Sequence, residues 1–468
     1  MQRIGSAALF ASATFLAVIT GSSAVVLGQT LPSQSAFISD LGSGPSNPYG
    51  VLLDRKAPTP ASDACAKLES WSLRPTWNIP YLATSQTLIP DCTGVRGALA
   101  DLGIGVGLNN IENGNVNFLS QGKPEPQGQQ YVGQKPTAFS LTVTYVTFDL
   151  NRILGIPDAK VVTGFKVMEP TWATIGPNYF GLNSLYYDQL LLHDHLELQL
   201  GYIENDFEYI GVYVGGRLAG GTLGPQATIP YEVGLSNNIS TAPTANVKVS
   251  YGDFYDKAGV QRSNTPGGNV RYAALDPTGF DFTIPGTSPL VIDELGYQIH
   301  PTAGAHSVWL RAGGIYNFTQ FPGFGTAPSA TNYAFYGLAD YQLLQTYEPQ
   351  TGIFVGGSFM YAPPDVNIYS KYFELRLYDV GPLPGRPHDF TSLVATRTEF
   401  GGNAINYYDR IGVRTHDAST GVTASYTAHI VNGLWIGTAL TYTHNPAFRV
   451  QPGDPNALNG QLVLTLWE

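Results

Sequence analysis

Leu196-Glu197-Leu198-Gln199-Leu200-Gly201-Tyr202 divides its side chains by parity: Leu196, Leu198, Leu200 and Tyr202 fall on one face of an extended chain, and Glu197, Gln199 and Gly201 on the other. Successive side chains of a strand point to opposite faces, so this pattern marks a strand lying between an apolar and an aqueous phase. It recurs in Asn246-Val247-Lys248-Val249-Ser250-Tyr251, in Phe373-Glu374-Leu375-Arg376-Leu377-Tyr378, and from Val422 to Ile430. Clusters of Gly, Pro, Asn and Asp separate such stretches from Ile104 onward, as turns separate strands. A soluble sandwich alternates in the same way, with its apolar face turned to a core. In a membrane barrel the apolar face meets lipid and the polar face lines water.

Composition separates the two. Only 13% of residues are charged, whereas 28 Tyr, 22 Phe and 53 Gly accompany just 3 Met and 2 Cys. A soluble surface needs charge, and a surface in lipid must lack it. Tyr, Phe and Trp gather at membrane interfaces, and Gly permits tight turns and close strand approach. Beyond the first thirty residues no window approaches the roughly 20 apolar residues of a transmembrane helix. The fold class expected is all-β, a transmembrane antiparallel barrel preceded by a short, partly helical N-terminal segment.

The chain divides into three parts. Arg3 followed by the uncharged apolar stretch Ile4 to Val26, with small residues at Ser22-Ser23-Ala24 and Val26-Leu27-Gly28, reads as a secretory leader over residues 1–28. Residues 29–103 read as a periplasmic arm, rich in Pro, Ser and Gly at first, with short helices expected from Asp63 to Leu73 and from Val95 to Leu102, the latter closed by Gly103. Residues 104–468 form the barrel. At about 10 residues per spanning strand plus turns and loops, that length supplies roughly 14 to 18 strands, the size at which an aqueous channel opens. Removing Arg3 with the leader moves the net charge from −11 to −12, which argues against a nucleic-acid partner. Cys65 and Cys92 are the only thiols, and after export they are expected to form a disulfide.

Catalytic signatures are missing. The chain has no G-x-S-x-G elbow, H-E-x-x-H helix, phosphate loop or C-x-x-C pair. His193-Asp194-His195-Leu196-Glu197 is the one cluster that looks like metal chemistry, if His193, His195 and Glu197 share a strand face. A polar lumen also places polar residues at every second position, so His195 and Glu197 are read as lumen lining. No metal and no cofactor is expected, and no enzymatic activity.

Several segments resemble the carbohydrate-selective porin family of Gram-negative outer membranes. They are Gly94 to Ile104, Phe148-Asp149-Leu150 with Ile156-Pro157-Asp158-Ala159, Tyr361-Ala362-Pro363-Pro364-Asp365, Gly381 to Asp389, and the closing stretch from Trp435 to Leu466. The resemblance implies a barrel of about sixteen antiparallel strands in the bacterial outer membrane, passing monosaccharides and small oligosaccharides by diffusion. Its partners would be small sugars, outer-membrane lipid and the assembly machinery. One departure concerns the terminus. Such barrels commonly end in an outward aromatic, whereas here Leu462, Leu464 and Leu466 set the outward face and Trp467 has the opposite parity.

A sugar has apolar C–H faces and a rim of hydroxyls, so a selective lumen needs aromatic surfaces and charged hydrogen-bonding groups, and it must bind weakly. Tyr372, Glu374, Arg376 and Tyr378 share one strand face and form the best candidate ladder. Ser307, Trp309, Arg311 and Gly313 form a second. Arg and Glu in a barrel wall can equally pair only with each other. Three alternatives stand beside the sugar channel: a general or organic-acid-selective porin, a barrel enzyme, and a secreted glycan-binding β-protein.

Overall fold

The computed structural model describes residues 86–119, 128–172, 178–210, 228–237, 239–450 and 456–468. The leader, most of the arm, the expected helix from Asp63 to Leu73 and Cys65 lie outside the described residues.

Sixteen strands are present among the described residues. They are β1 (Ile104–Asn117), β2 (Thr137–Asp149), β3 (Ala159–Pro170), β4 (Tyr179–Leu191), β5 (Leu196–Ile203), β6 (Ala242–Tyr251), β7 (Phe254–Arg262) and β8 (Pro289–Ile299). The second half comprises β9 (Val308–Phe321), β10 (Ala330–Gln345), β11 (Gly352–Tyr361), β12 (Tyr369–Val380), β13 (Phe390–Phe400), β14 (Ala418–Val431), β15 (Leu434–His444) and β16 (Asn456–Trp467). Each pairs antiparallel with its neighbour in sequence, and β1 pairs with β16, so the sheet closes on itself. Closure removes both edges, which lipid could not satisfy.

The seam is held to the last residue. Asn109 lies opposite Trp467, and Leu108 and Glu468 exchange backbone hydrogen bonds of 2.7 and 2.9 Å. Trp467 is buried on the inner face while Leu462 is 57% exposed on the outer one. A short helix, α1 (Val95–Asp101), leads into β1, and Gly103 follows it at φ 80°, a left-handed conformation that suits glycine. Its end is fixed by Arg152, whose Nε donates to the Asp101 carbonyl at 2.8 Å from α2 (Leu150–Leu154), in the β2–β3 turn.

The wall is inside-out relative to a soluble protein. On β12, Tyr372, Arg376 and Tyr378 are 1, 3 and 1% exposed, whereas Phe373, Leu375 and Leu377 are 40, 63 and 46% exposed. The apolar set therefore faces outward and the polar set inward, because an Arg turned to lipid would cost about 2–4 kcal/mol at mid-depth. On the lipid side, β13, β14 and β15 present Leu393, Val422 and Leu440.

The chain reverses sooner between β4 and β5 than the alternation suggests. Leu192, His193 and Asp194 all have positive φ, 54, 56 and 66°, so they make a tight turn and β5 starts only at Leu196. His193, His195 and Glu197 therefore do not share a strand face. A turn wants short polar residues that tolerate the left-handed region, and this motif supplies that need. His195 is exposed at the turn, with Nδ1 2.9 Å from the Ser250 carbonyl, while Glu197 is buried on the inner face. Among the described residues no group of three or more His, Cys, Asp or Glu could hold a metal.

Candidate functional site

The longest connection, between β5 and β6, folds into the barrel. Its described residues contain α3 (Asn205–Tyr209) and α4 (Thr228–Glu232). Asn205, Asp206, Tyr209, Ile229, Val233 and Leu235 are all completely buried. Leu290, Ile292, Ile315, Leu338 and Met360 break the polar-inside rule, and they do so where this segment packs: they form one apolar cluster with Tyr209, Ile229, Val233 and Leu235. Each such side chain removed from water contributes about 1.5–3 kcal/mol, so the segment is glued to the wall from β8 to β12.

Polar ties complete the docking. The end of α3 presents its free carbonyls, and two cations from the wall meet them: Lys257 Nζ donates to the Glu208 carbonyl at 2.7 Å, and Arg311 Nη1 to those of Tyr209 and Ile210 at 2.9 and 3.2 Å. Cations suit the negative end of a helix. Arg311 also lies 3.7 Å from the centroid of the Trp309 ring, which it covers. Trp309 Nε1 donates to the Tyr255 hydroxyl at 2.9 Å, and Glu294 accepts from both Tyr255 and Tyr336 at 3.1 and 3.0 Å, with Lys257 2.6 Å away. At the root of the segment Glu204 pairs with Lys166. Farther along, Tyr231 donates to Asp206 at 2.8 Å, and Asn317 Nδ2 donates to the Val233 carbonyl at 2.6 Å.

Glu232 ties the far piece to β12 by accepting from the backbone N–H groups of Ile368 and Tyr369 at 2.6 and 3.0 Å. Burial pushes its carboxyl up to about 8, against the two amides that favour the ionised form. Burial, reinforced by the nearby Glu204 charge, holds the Asp206 carboxyl well above the usual carboxylate range.

Next to this segment lies a compact charge network. Arg376 Nε and Nη2 donate to Asp340 Oδ1 and Oδ2 at 3.0 and 2.8 Å, a bidentate pair. Its Nη1 donates to Glu374 Oε1 at 2.5 Å and to Ser358 Oγ at 2.7 Å. Tyr372 donates to the other Glu374 oxygen at 2.5 Å, and Tyr378 donates to Asp340 at 3.2 Å. Asp340 stands on β10 and Arg376 on β12, so the pair reaches over β11 at Gly356, which is in register with both. A Cβ at Gly356 would lie 2.2 Å from Asp340 Oδ1 and 2.7 Å from Arg376 Nε. Only glycine leaves that passage open. Arg376 and Tyr372 are buried and the Glu374 side chain is only 5% exposed, whereas Ser358 is the half-buried edge of the network. Phe354 stacks on Tyr378 at 5.0 Å and 5°.

The wall from β13 to β15 is chemically different. Ser392, Ser425, Thr423 and Thr441 face inward, and Ser392–Ser425 and Thr423–Thr441 pair across strands at 2.6 and 2.8 Å. The inner surface thus has one charged and aromatic side and one side of small hydroxyls.

The structure locates each residue singled out from sequence. Tyr372, Glu374 and Arg376 come together in one network, and Trp309 and Arg311 face the same interior but hold the infolded segment. Glu197 is inward and opposite Lys248 across β5–β6, and His195 is in a turn. Cys92 carries no free thiol, and Cys65 lies outside the described residues. Sequence reasoning missed Asp340, although Tyr336, Leu338, Asp340 and Gln342 repeat at the inward parity of β10. It also missed Gly356 and the identity of the infolded segment.

Two solved structures share this architecture. The high-pH structure of Pseudomonas putida OprB matches with a TM-score of 0.66 at 15% identity, covering 85% of this chain and all of that one. The low-pH structure of Pseudomonas putida OprB matches with a TM-score of 0.52 at 14% identity, covering 82% of this chain and 98% of that one. At such identities the likeness shows the fold alone. No curated protein matches the chain by sequence. The family described as carbohydrate-selective porin, OprB family, matches residues 139–466, from within β2 to within β16. The chain belongs to the OprB family of carbohydrate-selective porins, whose members are channels of the outer membrane.

Proposed function

We propose that monosaccharides and small oligosaccharides diffuse through this barrel past the half-buried edge of the Arg376 network, with Ser358 as the group that meets sugar hydroxyls. The observation that carries the reading is the arrangement of that network. The Ser358 hydroxyl stands at the half-buried edge, and a buried Arg376, clamped by Asp340 and Glu374, fixes it from behind. A hydroxyl held in place by a buried cation can exchange hydrogen bonds with a sugar without holding it tightly, as passage requires. Tyr372 orients Glu374 from the other side. The small hydroxyls of β13 to β15 offer a second, neutral set of partners along the path.

Arg311 and Trp309 take a different part in this reading. They act as positioning residues that hold the infolded segment and so set the width of the passage. The same reading has residues 1–28 removed on export, residues 29–103 as a periplasmic arm, and the barrel inserted in the bacterial outer membrane by the assembly machinery. Planar-bilayer recordings test the path: added glucose should reduce ion current through the native channel in a concentration-dependent way, and Ser358→Ala should weaken that block. Identical block by glucose in both proteins would place the path elsewhere.

A further inference from the structure

The outer wall carries its cations in one place. Of the Lys and Arg residues on the described strands, only Lys371 and Arg397 combine outward parity with exposure, their side chains being 44 and 52% exposed. The others point into the lumen or, like Arg262, lie buried under a loop. Lys371 stands on β12 and Arg397 on β13, and Glu399 lies opposite Lys371. Both are near the strand ends that share a rim with the long connections 263–288 and 401–417, whereas the turns at 252–253 and 432–433 close the opposite rim. Long loops of outer-membrane barrels are extracellular, so the pair faces the outer leaflet.

Outward rings set the depth. Tyr361 lies opposite Lys371 and Phe373 opposite Arg397; the Phe373 ring packs on Phe359 at 5.2 Å, and Tyr361 is 6.4 Å from Tyr333. Such rings gather where acyl chains give way to headgroups. A lipid-facing Arg is costly at mid-depth and tolerated near the interface. The charges there do not cancel. Lys371 Nζ donates to one Glu399 oxygen at 3.0 Å and Arg397 Nε to the other at 3.3 Å, so two cations against one carboxylate leave a net charge of +1. Neither terminal nitrogen of Arg397 has a protein partner among the described residues. The end of the guanidinium fork is open to a ligand.

We infer that Lys371 and Arg397 bind a phosphate group on the lipid headgroups of the outer leaflet. The open end of a guanidinium matches phosphate through paired N–H bonds, the lysine adds a point charge, and the rings beneath pack on the acyl chains. The inference rests on the barrel being in the outer membrane, which co-sedimentation with outer membrane checks first and separately. Native mass spectrometry of the purified barrel in detergent then reads the site, with phosphorylated lipid A offered beside the same lipid A dephosphorylated. The phosphorylated form should be retained in preference. Lys371→Gln and Arg397→Gln should each weaken its retention about fivefold, and together about thirtyfold. Arg414→Gln, which removes an exposed cation from the β13–β14 loop, should change nothing. Glu399→Gln removes the competing carboxylate and should strengthen retention, an effect that a purely structural ion pair would not give. Single-channel conductance should stay native in these variants, which separates the lipid site from the sugar path. Equal retention of both lipid forms, native retention by the double variant, unchanged retention by Glu399→Gln, or binding of inorganic phosphate in place of the lipid would overturn the inference.

Discussion

Arg376 and Asp340 meet across an intervening strand, and Gly356 is the gap through which they do so. The contact joins β10 to β12 without passing through the backbone ladder. Removing one partner of a buried pair leaves the other uncompensated, which typically costs about 3–5 kcal/mol.

Gly356→Ala is expected to destabilise the barrel through that pair. Its Cβ falls on both partners, so the ion pair must break or the strands must shift. In an Arg376→Ala background the same glycine substitution should cost much less, since there is then no pair to break. Temperature-dependent mobility of the folded barrel in detergent measures both, and equal effects in the two backgrounds would refute the coupling.

Arg376→Lys keeps the charge but loses the planar fork that holds Asp340 and Glu374 together. The barrel should still assemble, while the relative permeabilities of different sugars change because Ser358 is no longer fixed. An unaltered sugar profile would reduce Arg376 to wall structure.

Arg311→Ala should loosen the infolded segment. Two hydrogen bonds from a charged donor to the Tyr209 and Ile210 carbonyls disappear, each worth about 1.5–3 kcal/mol. Conductance should rise or become noisy and discrimination between sugars should fall, read in planar bilayers. Quiet, native-sized channels would show that the apolar cluster alone holds the segment.

Docking of the segment should depend on pH through Glu232. Its carboxyl, at about 8 when docked, lies above the ordinary 4.5, so docking is fully favoured below about 4.5 and weakens as pH rises through about 8. Hydrogen exchange across residues 228–237 should quicken over that window in the native protein. Glu232→Gln, neutral throughout, should flatten the dependence, and an equally steep pH profile in that variant would assign the effect to another group.

How much of this was legible in the sequence follows from which contacts are local. The outward Leu375 and inward Arg376 were readable because the parity of a strand sorts chemistry without any tertiary knowledge. The turn at His193 was not, since a polar turn and a polar strand face have the same composition. Nor was the infolded segment, because Ile229, Val233 and Leu235 have no period of their own and become intelligible only against Leu290, Ile315 and Met360 from three other strands. Asp340 and Gly356 likewise acquire meaning only once the register of β10, β11 and β12 is known.

The disulfide expected between Cys65 and Cys92 would close a loop of about 28 residues, worth roughly 3 kcal/mol in the chain-entropy model. Mass mapping of the exported protein without reductant should recover the two cysteine peptides joined. Recovery of free thiols at both positions would remove the bridge from the account.

The central claim, selective passage of sugars, is tested most directly by liposome swelling with purified protein. A graded series of sugars should be run beside an amino acid and an organic acid of similar size. The account predicts that small sugars enter faster than either of those solutes, with rates falling as the sugar lengthens. Equal rates for solutes of equal size, or faster entry of the organic acid, would contradict it.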